Sequence, residues 1–355
     1  MADKEPATLD AWGSCPVSIG THTEVLLGHG SGGKLTADLV EKLFLPAFRN
    51  PYLEKLDDQA VLTLNGTRLA FTTDSFVVTP IFFPGGDIGR LAVNGTINDL
   101  AMSGARPQYL SAAFILEEGL PLADLGRVVR SMEEACAATG VMLVTGDTKV
   151  VNRGSGDKVF INTSGIGILE RDGVLSADRA RVGDKVILSG TVADHGMAIM
   201  ATREGLEFET EILSDTAPLH GLVDAMLEVS SEIRCLRDPT RGGVVTTLNE
   251  IARRSHVGIV IHERSIPVRE DVKGACELLG LDPLYVANEG KLIAIVGPGD
   301  AERVLARMRD HRDGKDAQLI GEVVADHPRM VVMRTGIGGT RIVDLLTGEQ
   351  LPRIC

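Results

Sequence analysis

Val61-Leu62-Thr63-Leu64-Asn65-Gly66-Thr67-Arg68-Leu69-Ala70-Phe71-Thr72 reads as a β-hairpin. Two apolar, β-prone runs flank Asn-Gly, a pair that tolerates the positive φ angles of a tight hairpin turn. The hairpin sets Asp58, ahead of its first strand, and Asp74, beyond its second, at one end. Upstream, residues 24–27 read as a short strand entering the glycine loop Gly28-His29-Gly30-Ser31-Gly32-Gly33-Lys34, with an apolar helix over 35–48. Downstream come a helix at 88–103 stopped by Gly104, a strand at 108–116, a helix at 121–138, a strand at 141–144 ending in Gly146-Asp147-Thr148-Lys149, and a strand at 158–169. The polar stretch 170–184 separates this half from a second alternation. That half holds strands at 185–188, 258–262 and 291–296, helices near 195–202, 218–228, 243–254 and 301–311, and closing strands. The order predicts an α/β protein of the α+β sandwich type, with two sandwiches whose helices each cover one side of a sheet. Residues 24–170 and 171–346 are the expected domains.

A chain of 355 residues is long enough for two cores. Its net charge of -13 repels a phosphate backbone, and no basic stripe interleaves with aromatics, which excludes nucleic acid as the expected partner. The first ten residues lack the apolar core of a signal peptide and no run approaches the ~20 apolar residues of a membrane span, so the cytoplasm is the expected location. Cys15, Cys136, Cys235, Cys276 and Cys355 are odd in number and contain no Cys-x-x-Cys pair, which argues against a disulfide framework or a zinc site. Cys136 and Cys276 fall in apolar helical patterns as small core residues.

Acidic motifs recur at predicted strand ends and helix starts: Asp57-Asp58, Thr73-Asp74, Asn98-Asp99, Asp147-Thr148 and Asp238. Singly, each is a turn former or a cap. Together they offer hard oxygen ligands on separate loops, the arrangement a magnesium–phosphate complex requires. The glycine loop lacks Walker spacing and is either a turn or a phosphate cradle at a helix start. Asp238-Pro239-Thr240-Arg241-Gly242-Gly243 is a capped helix start with a surface arginine or a second anion site. The chain ends Gly348-Glu349-Gln350-Leu351-Pro352-Arg353-Ile354-Cys355. Beyond Thr347 eight residues reach at most ~26 Å, enough to carry a thiol between solvent and a cleft. A prenylation box is excluded, because its cysteine stands fourth from the end.

Gly28-His29-Gly30-Ser31-Gly32-Gly33, Asn98-Asp99, Gly146-Asp147-Thr148-Lys149, Asp238-Pro239-Thr240-Arg241-Gly242-Gly243, Asn288-Glu289-Gly290 and the terminal Pro352-Arg353-Ile354-Cys355 together resemble the HypE family of hydrogenase maturation factors. This family lies within the aminoimidazole ribonucleotide synthetase and selenophosphate synthetase superfamily. The resemblance runs from about Val25 onward, and 1–23 stand outside it as an extension. It implies a two-domain aminoimidazole ribonucleotide synthetase-like fold, a homodimer built on the N-terminal ATP-binding domain, ATP and Mg²⁺ as cofactors, and a mobile tail at 347–355. It also implies a reaction: the carbamoyltransferase HypF loads Cys355, and S-carbamoyl becomes S-cyanate as ATP is consumed. The cyanide is destined for the iron-bearing HypC–HypD complex that serves [NiFe]-hydrogenase. By resemblance, Asp58, Asp99 and Asp238 bind metal, and Asp74, Asp147, Thr148 and Lys34 contact nucleotide, with Arg241 beside them. Glu289 and Lys149 are the proton-handling candidates facing Cys355. Arg353 is expected to offset the terminal carboxylate beside the thiol.

Three other readings compete. A selenophosphate synthetase needs a reactive Cys or selenocysteine in the glycine loop, which Gly28 to Lys34 lack. A purine-pathway amidine synthetase leaves the terminal thiol without purpose. A nucleotide-binding scaffold that merely presents its tail would form no thiocyanate.

Overall fold

A computed structural model describes residues 24–206, 211–346, 351 and 353–355. The extension at 1–23 with Cys15, and tail positions 347–350 and 352, lie outside the described residues. The opening segment differs from expectation. Residues 24–26 form no strand, and Leu27–Gly30 is a 3₁₀ turn. The glycine-rich stretch leaves that segment without an alternating apolar face to pair in a sheet. The helix that follows is continuous, with α1 (Lys34–Leu39) and α2 (Leu45–Phe48) joined by a π-helical turn at Val40–Phe44.

The hairpin forms as read. β1 (Ala60–Leu64) and β2 (Thr67–Phe76) pair antiparallel about Asn65 and Gly66, both at positive φ. After the small hairpin β3 (Phe82–Phe83) and β4 (Gly86–Asp87) comes α3 (Ile88–Met102), whose N-cap Asp87 accepts the N–H groups of Gly89 and Arg90. Thirteen of its fifteen residues are buried, Asn94, Thr96 and Asn98 among them, so the helix is covered on nearly every side. Next come β5 (Arg106–Glu117), α4 (Leu122–Thr139), β6 (Met142–Val151) and β7 (Val159–Ile168). The first sheet has the order β1-β2-β7-β5-β6. Helices α3 and α4 cover one face of it. The strand expected to stop at Val144 instead runs on through Gly146-Asp147-Thr148-Lys149, because β6 pairs in parallel with β5 as far as Val151.

The second sheet holds β8 (Lys185–Leu188), β9 (Ile233–Arg237), β10 (Gly258–His262), β11 (Ile293–Val296), β12 (Gln318–Val324), β13 (Val331–Arg334) and β14 (Thr340–Ile342), in the order β14-β13-β10-β12-β8-β11-β9. Its helices are α5 (Asp194–Glu204), α6 (His220–Val229), α7 (Gly243–Arg254), α8 (Glu270–Leu279) and α9 (Ala301–Arg309). The expectation of helices on one side is corrected here. Val186 and Leu188 pack with α7, whereas Ile187 faces α6 and α9. Successive residues of a strand point to opposite faces, so both faces are covered. The unbroken apolar runs of β8, β10 and β11 record that double burial.

The described end of the tail lies between the two sheets. Ile354 forms an antiparallel bridge with Val78, while the N–H groups of Val77 and Thr79 donate to main-chain oxygens of Cys355 (3.0 Å) and Arg353 (3.2 Å). Of the cysteines read as core residues, Cys276 is buried and Cys136 is half-buried.

Candidate active site

A cavity of about 220 Å³ opens where the halves meet, lined by Asp58, Thr73, Asp74, Ser75, Gly95 and Asp99 from the first, Asp238, Thr240, Arg241 and Glu289 from the second, and Cys355 from the tail. The hairpin brings Asp58 and Asp74 to one end, as its register requires. Asp99 lies on α3, within 2.8 Å of the Thr72 hydroxyl. Two asparagines fix the loops around the cavity, Asn98 across the two halves and Asn288 within the second. Asn98 donates to the carbonyls of Ala217 (3.0 Å) and Glu289 (3.3 Å) and accepts from Leu219 N–H (2.8 Å). Asn288 donates to Pro239 (2.9 Å) and accepts from Ala193 N–H (2.8 Å). In both Asn98-Asp99 and Asn288-Glu289, the amide fastens loops and the adjoining acid reaches the cavity.

Glu289 is held from behind. Its N–H donates to Asp215 Oδ1 at 3.0 Å, and Asp215 Oδ2 pairs with Lys291 at 3.0 Å. Burial alone would raise the Asp215 carboxyl, but Lys291 and the Glu289 N–H bring it below its ordinary value. Opposite it, burial pushes Glu289 well above the usual carboxylate range, and Asp74, Asp215 and Asp238 add to this. Its Oε1 is buried with no hydrogen-bond partner. The Cys355 thiol and the Glu289 carboxyl line the same cavity and act on each other there. Burial raises that thiol to about 12, with Arg241 opposing and Glu289 and Asp74 reinforcing the shift.

The remaining acids crowd one another. Burial raises Asp99, and Asp238, Asp74 and Asp58 raise it further. Asp238 is pushed up to about 6 by burial against the pull of Arg237. Asp58 is raised by burial although its Oδ2 lies 2.9 Å from Arg237 Nε. That contact is an ion pair without hydrogen-bond geometry, since neither atom has a hydrogen-bond partner. Among the described residues, no three His, Cys, Asp or Glu side chains gather into a closed metal set.

The glycine loop rests on the arginine loop. Arg241 Nη1 donates to Gly30 O at 2.7 Å, and a Cβ on Gly32 would stand 2.6 Å from Arg241 O. Gly33 is equally constrained by Leu346 O at 2.5 Å. Only backbone without side chains fits such an approach. Lys34 itself turns away to pair with Asp344 at 2.9 Å.

Asp147, Thr148 and Lys149 do not line this chain's cavity. They sit exposed on the edge strand β6, where Lys149 Nζ hydrogen-bonds Asp147 at 2.7 Å and holds its carboxyl below the ordinary value. Arg353 is directed elsewhere too: its Nε pairs with Asp157 at 3.1 Å, so Arg241 is the cation that acts on the thiol. Sequence reasoning missed three polar groups on the cavity or the tail. Thr240 lies inside the motif Asp238 to Gly243 and Ser75 directly follows Thr73-Asp74, so adjacency was their signal. His195, which bonds the tail, carried none.

Residues 56–169 match the N-terminal domain of the AIR synthase related proteins and 181–333 match the C-terminal domain. The carbamoyl dehydratase HypE of Azotobacter vinelandii is 60% identical over 327 residues, covering 92% of this chain and 96% of that one. Among solved structures, a HypE–HypF complex superposes with a TM-score of 0.82 at 51% identity, covering 87% of this chain and 99% of that one. HypE in complex with ATP superposes with a TM-score of 0.79 at 52% identity, covering 94% and 100%.

Proposed function

The chain belongs to the AIR synthase related family, in its HypE carbamoyl dehydratase branch, and from that premise we propose how its own residues carry out the reaction. It is an ATP-dependent carbamoyl dehydratase of hydrogenase maturation, converting S-carbamoyl on Cys355 to S-cyanate. The amide oxygen leaves as phosphate oxygen and the nitrogen gives up both protons, so carbon and nitrogen close a triple bond. The observation that carries the assignment is the terminal thiol seated against Glu289 inside the acidic cavity. HypF is the loading partner, as the complex of a HypE relative supports. Delivery to a HypC–HypD complex is the onward step we assign on the family resemblance. Domain limits of 24–170 and 171–346 are supported by the family matches, which stop at 169 and resume at 181.

Glu289 takes the proton from the thiocarbamate nitrogen. Its support is contact with the thiol, an Oε1 without a competing partner, and a basicity raised by burial. Asp74, Thr240 and Arg241 face the phosphates. Asp58, Asp99 and Asp238 are a donor set that fits Mg²⁺: hard oxygens, mutually repelling, one of them with an Oδ2 that lacks a hydrogen bond. The absence of a closed set among the described residues suits an ion completed by phosphate oxygens and water. When bound, magnesium neutralises and orients the transferring phosphoryl group.

A homodimer is the assembly we assign. Its support is the uncovered face of the first sheet, where Phe71, Tyr109, Ile115 and Ile166 are exposed apolar residues, and the unpaired edge of β6. Asp147, Thr148 and Lys149 then keep nucleotide and proton-handling roles only through the second copy. Mixed dimers of Lys149→Ala with Glu289→Gln test this. One site per dimer is intact if the sites are shared, so nitrile formation returns on mixing. No recovery by intact mass rejects a shared site.

The docked thiol is protonated at neutral pH and therefore a poor nucleophile. Loading thus takes place with the tail withdrawn. The docked value near 12 lies above the ~8.5 of a free thiol. Docking therefore favours the protonated form, is fully present below the free value, and weakens as pH climbs toward the docked one. At fixed pH, Arg203→Met removes donors to the Thr79 and Arg353 carbonyls and should raise the alkylation rate of Cys355 about tenfold. An unchanged rate would show that these contacts do not hold the tail.

A further inference from the structure

We infer that His195 is a positioning residue for dehydration, completing the strand-like seat of the tail by holding the Ile354 carbonyl while Cys355 meets Glu289. The inference rests on the reaction assigned above and adds a group to it. In an extended segment, successive carbonyls point to opposite sides. Main-chain oxygens of Arg353 and Cys355 turn toward Val77 and Thr79 and are satisfied there. The Ile354 carbonyl therefore points the other way, into an interior where Ile354 is buried among Ile199 and Ala287. A second strand would normally accept that role, and here His195 Nε2 fills it at 2.7 Å.

The hydrogen bonds around the ring leave one arrangement. A carbonyl only accepts, so Nε2 carries the proton. Burial keeps the imidazole neutral, leaving Nδ1 as an acceptor for the Ser214 hydroxyl at 2.8 Å. Ser214 Oγ in turn accepts Thr216 N–H at 3.2 Å. The Phe83 ring meets the imidazole edge-on, with centroids 5.5 Å apart, and restrains its tilt. A core histidine needing only satisfaction could take a carbonyl from its own neighbourhood. This one takes the penultimate residue of the chain, 159 positions away. With Val77 holding the next oxygen, the last peptide plane is gripped from both sides, and side-chain rotation is the thiol's remaining freedom.

The test uses the full chain with HypF, carbamoyl phosphate and ATP, and separates two readouts: protection of the unloaded thiol from alkylation, and single-turnover nitrile formation on a preloaded tail. His195→Leu leaves the Ile354 carbonyl unpaired, so alkylation should quicken and dehydration slow by about 10- to 100-fold, with loading by HypF and ATP affinity undiminished. His195→Gln, whose amide nitrogen reaches the place of Nε2, should recover most of both. Wild-type protection and rate in the leucine variant overturn the inference, as does a glutamine variant no better than leucine. If the leucine variant fails to bind ATP, Ser214→Ala replaces it: faster alkylation with slower dehydration supports the inference, and no change overturns it. A wild-type chain that is loaded but never loses the mass of water would sink the reaction instead. Thiol protection would still decide the role of His195.

Discussion

Glu289→Gln yields a chain that HypF still carbamoylates on Cys355 but that stalls there, with single-turnover nitrile formation reduced about 10²- to 10⁴-fold. Glutamine keeps the shape and the buried contact with the thiol while removing the basic oxygen. The backbone N–H to Asp215 is untouched, so the loop should hold its place. The carboxylate is unusually costly where it stands. Burial, with Asp74, Asp215 and Asp238 nearby, raises it well above the ordinary range, and that raised basicity suits it to take a proton from nitrogen. Removing it also relieves repulsion, so the variant should melt no lower than the parent. Intact mass gives the answer: the carbamoyl adduct persists in the variant and becomes lighter by water in the parent. A variant that dehydrates at the parental rate would assign proton removal to another group, with Lys149 of a second copy next in line.

Gly290→Ala is the second large effect, and it acts through backbone alone. A Cβ at this position would stand 1.8 Å from Asp215 O and 3.0 Å from Ala217 N. Neither neighbour can rotate aside, because both are main-chain atoms. Either the 215–217 segment or the entry to β11 must move, and Glu289 moves with it. Overpacking of a rigid contact costs about 3 kcal/mol, which in a domain of this size lowers Tm by about 6–12 °C. Gly66→Ala is the matched control, since a Cβ there meets nothing within 4 Å and only the positive φ is strained. The alanine at 290 should also lose dehydration while Cys355 is still loaded. An unshifted melting curve would show that the loop accommodates the methyl group freely.

Much of the fold was legible because its causes are local. Asn65-Gly66 set a hairpin whatever surrounded it, and the runs of β8, β10 and α7 emerged with the bounds expected from their patterns. β9 and α8 were not anticipated as elements. Ile233–Arg237 is a five-residue run broken by two arginines without a regular period, and α8 presents its apolar face only once Val272, Ala275 and Cys276 pack on α5. The convergence of Asp58, Asp74, Asp99, Asp238 and Glu289 was foreseen from motif and resemblance together, and they share one cavity. Arg353 was misjudged for an electrostatic reason: proximity in sequence to Cys355 did not bring its guanidinium near the sulfur, because Asp157 offered a closer carboxylate.

The sequence by itself determined the succession of helices and strands, the family, and the chemistry carried by a thiol at the chain end, since each depends on residue type and short-range spacing. Tertiary structure decided which charges meet: that Arg241 faces the thiol, that Asp147, Thr148 and Lys149 lie on an open edge, and that His195 receives the tail. Those outcomes depend on long-range closure and on the cost of burying unpaired polar groups, which local periodicity does not record.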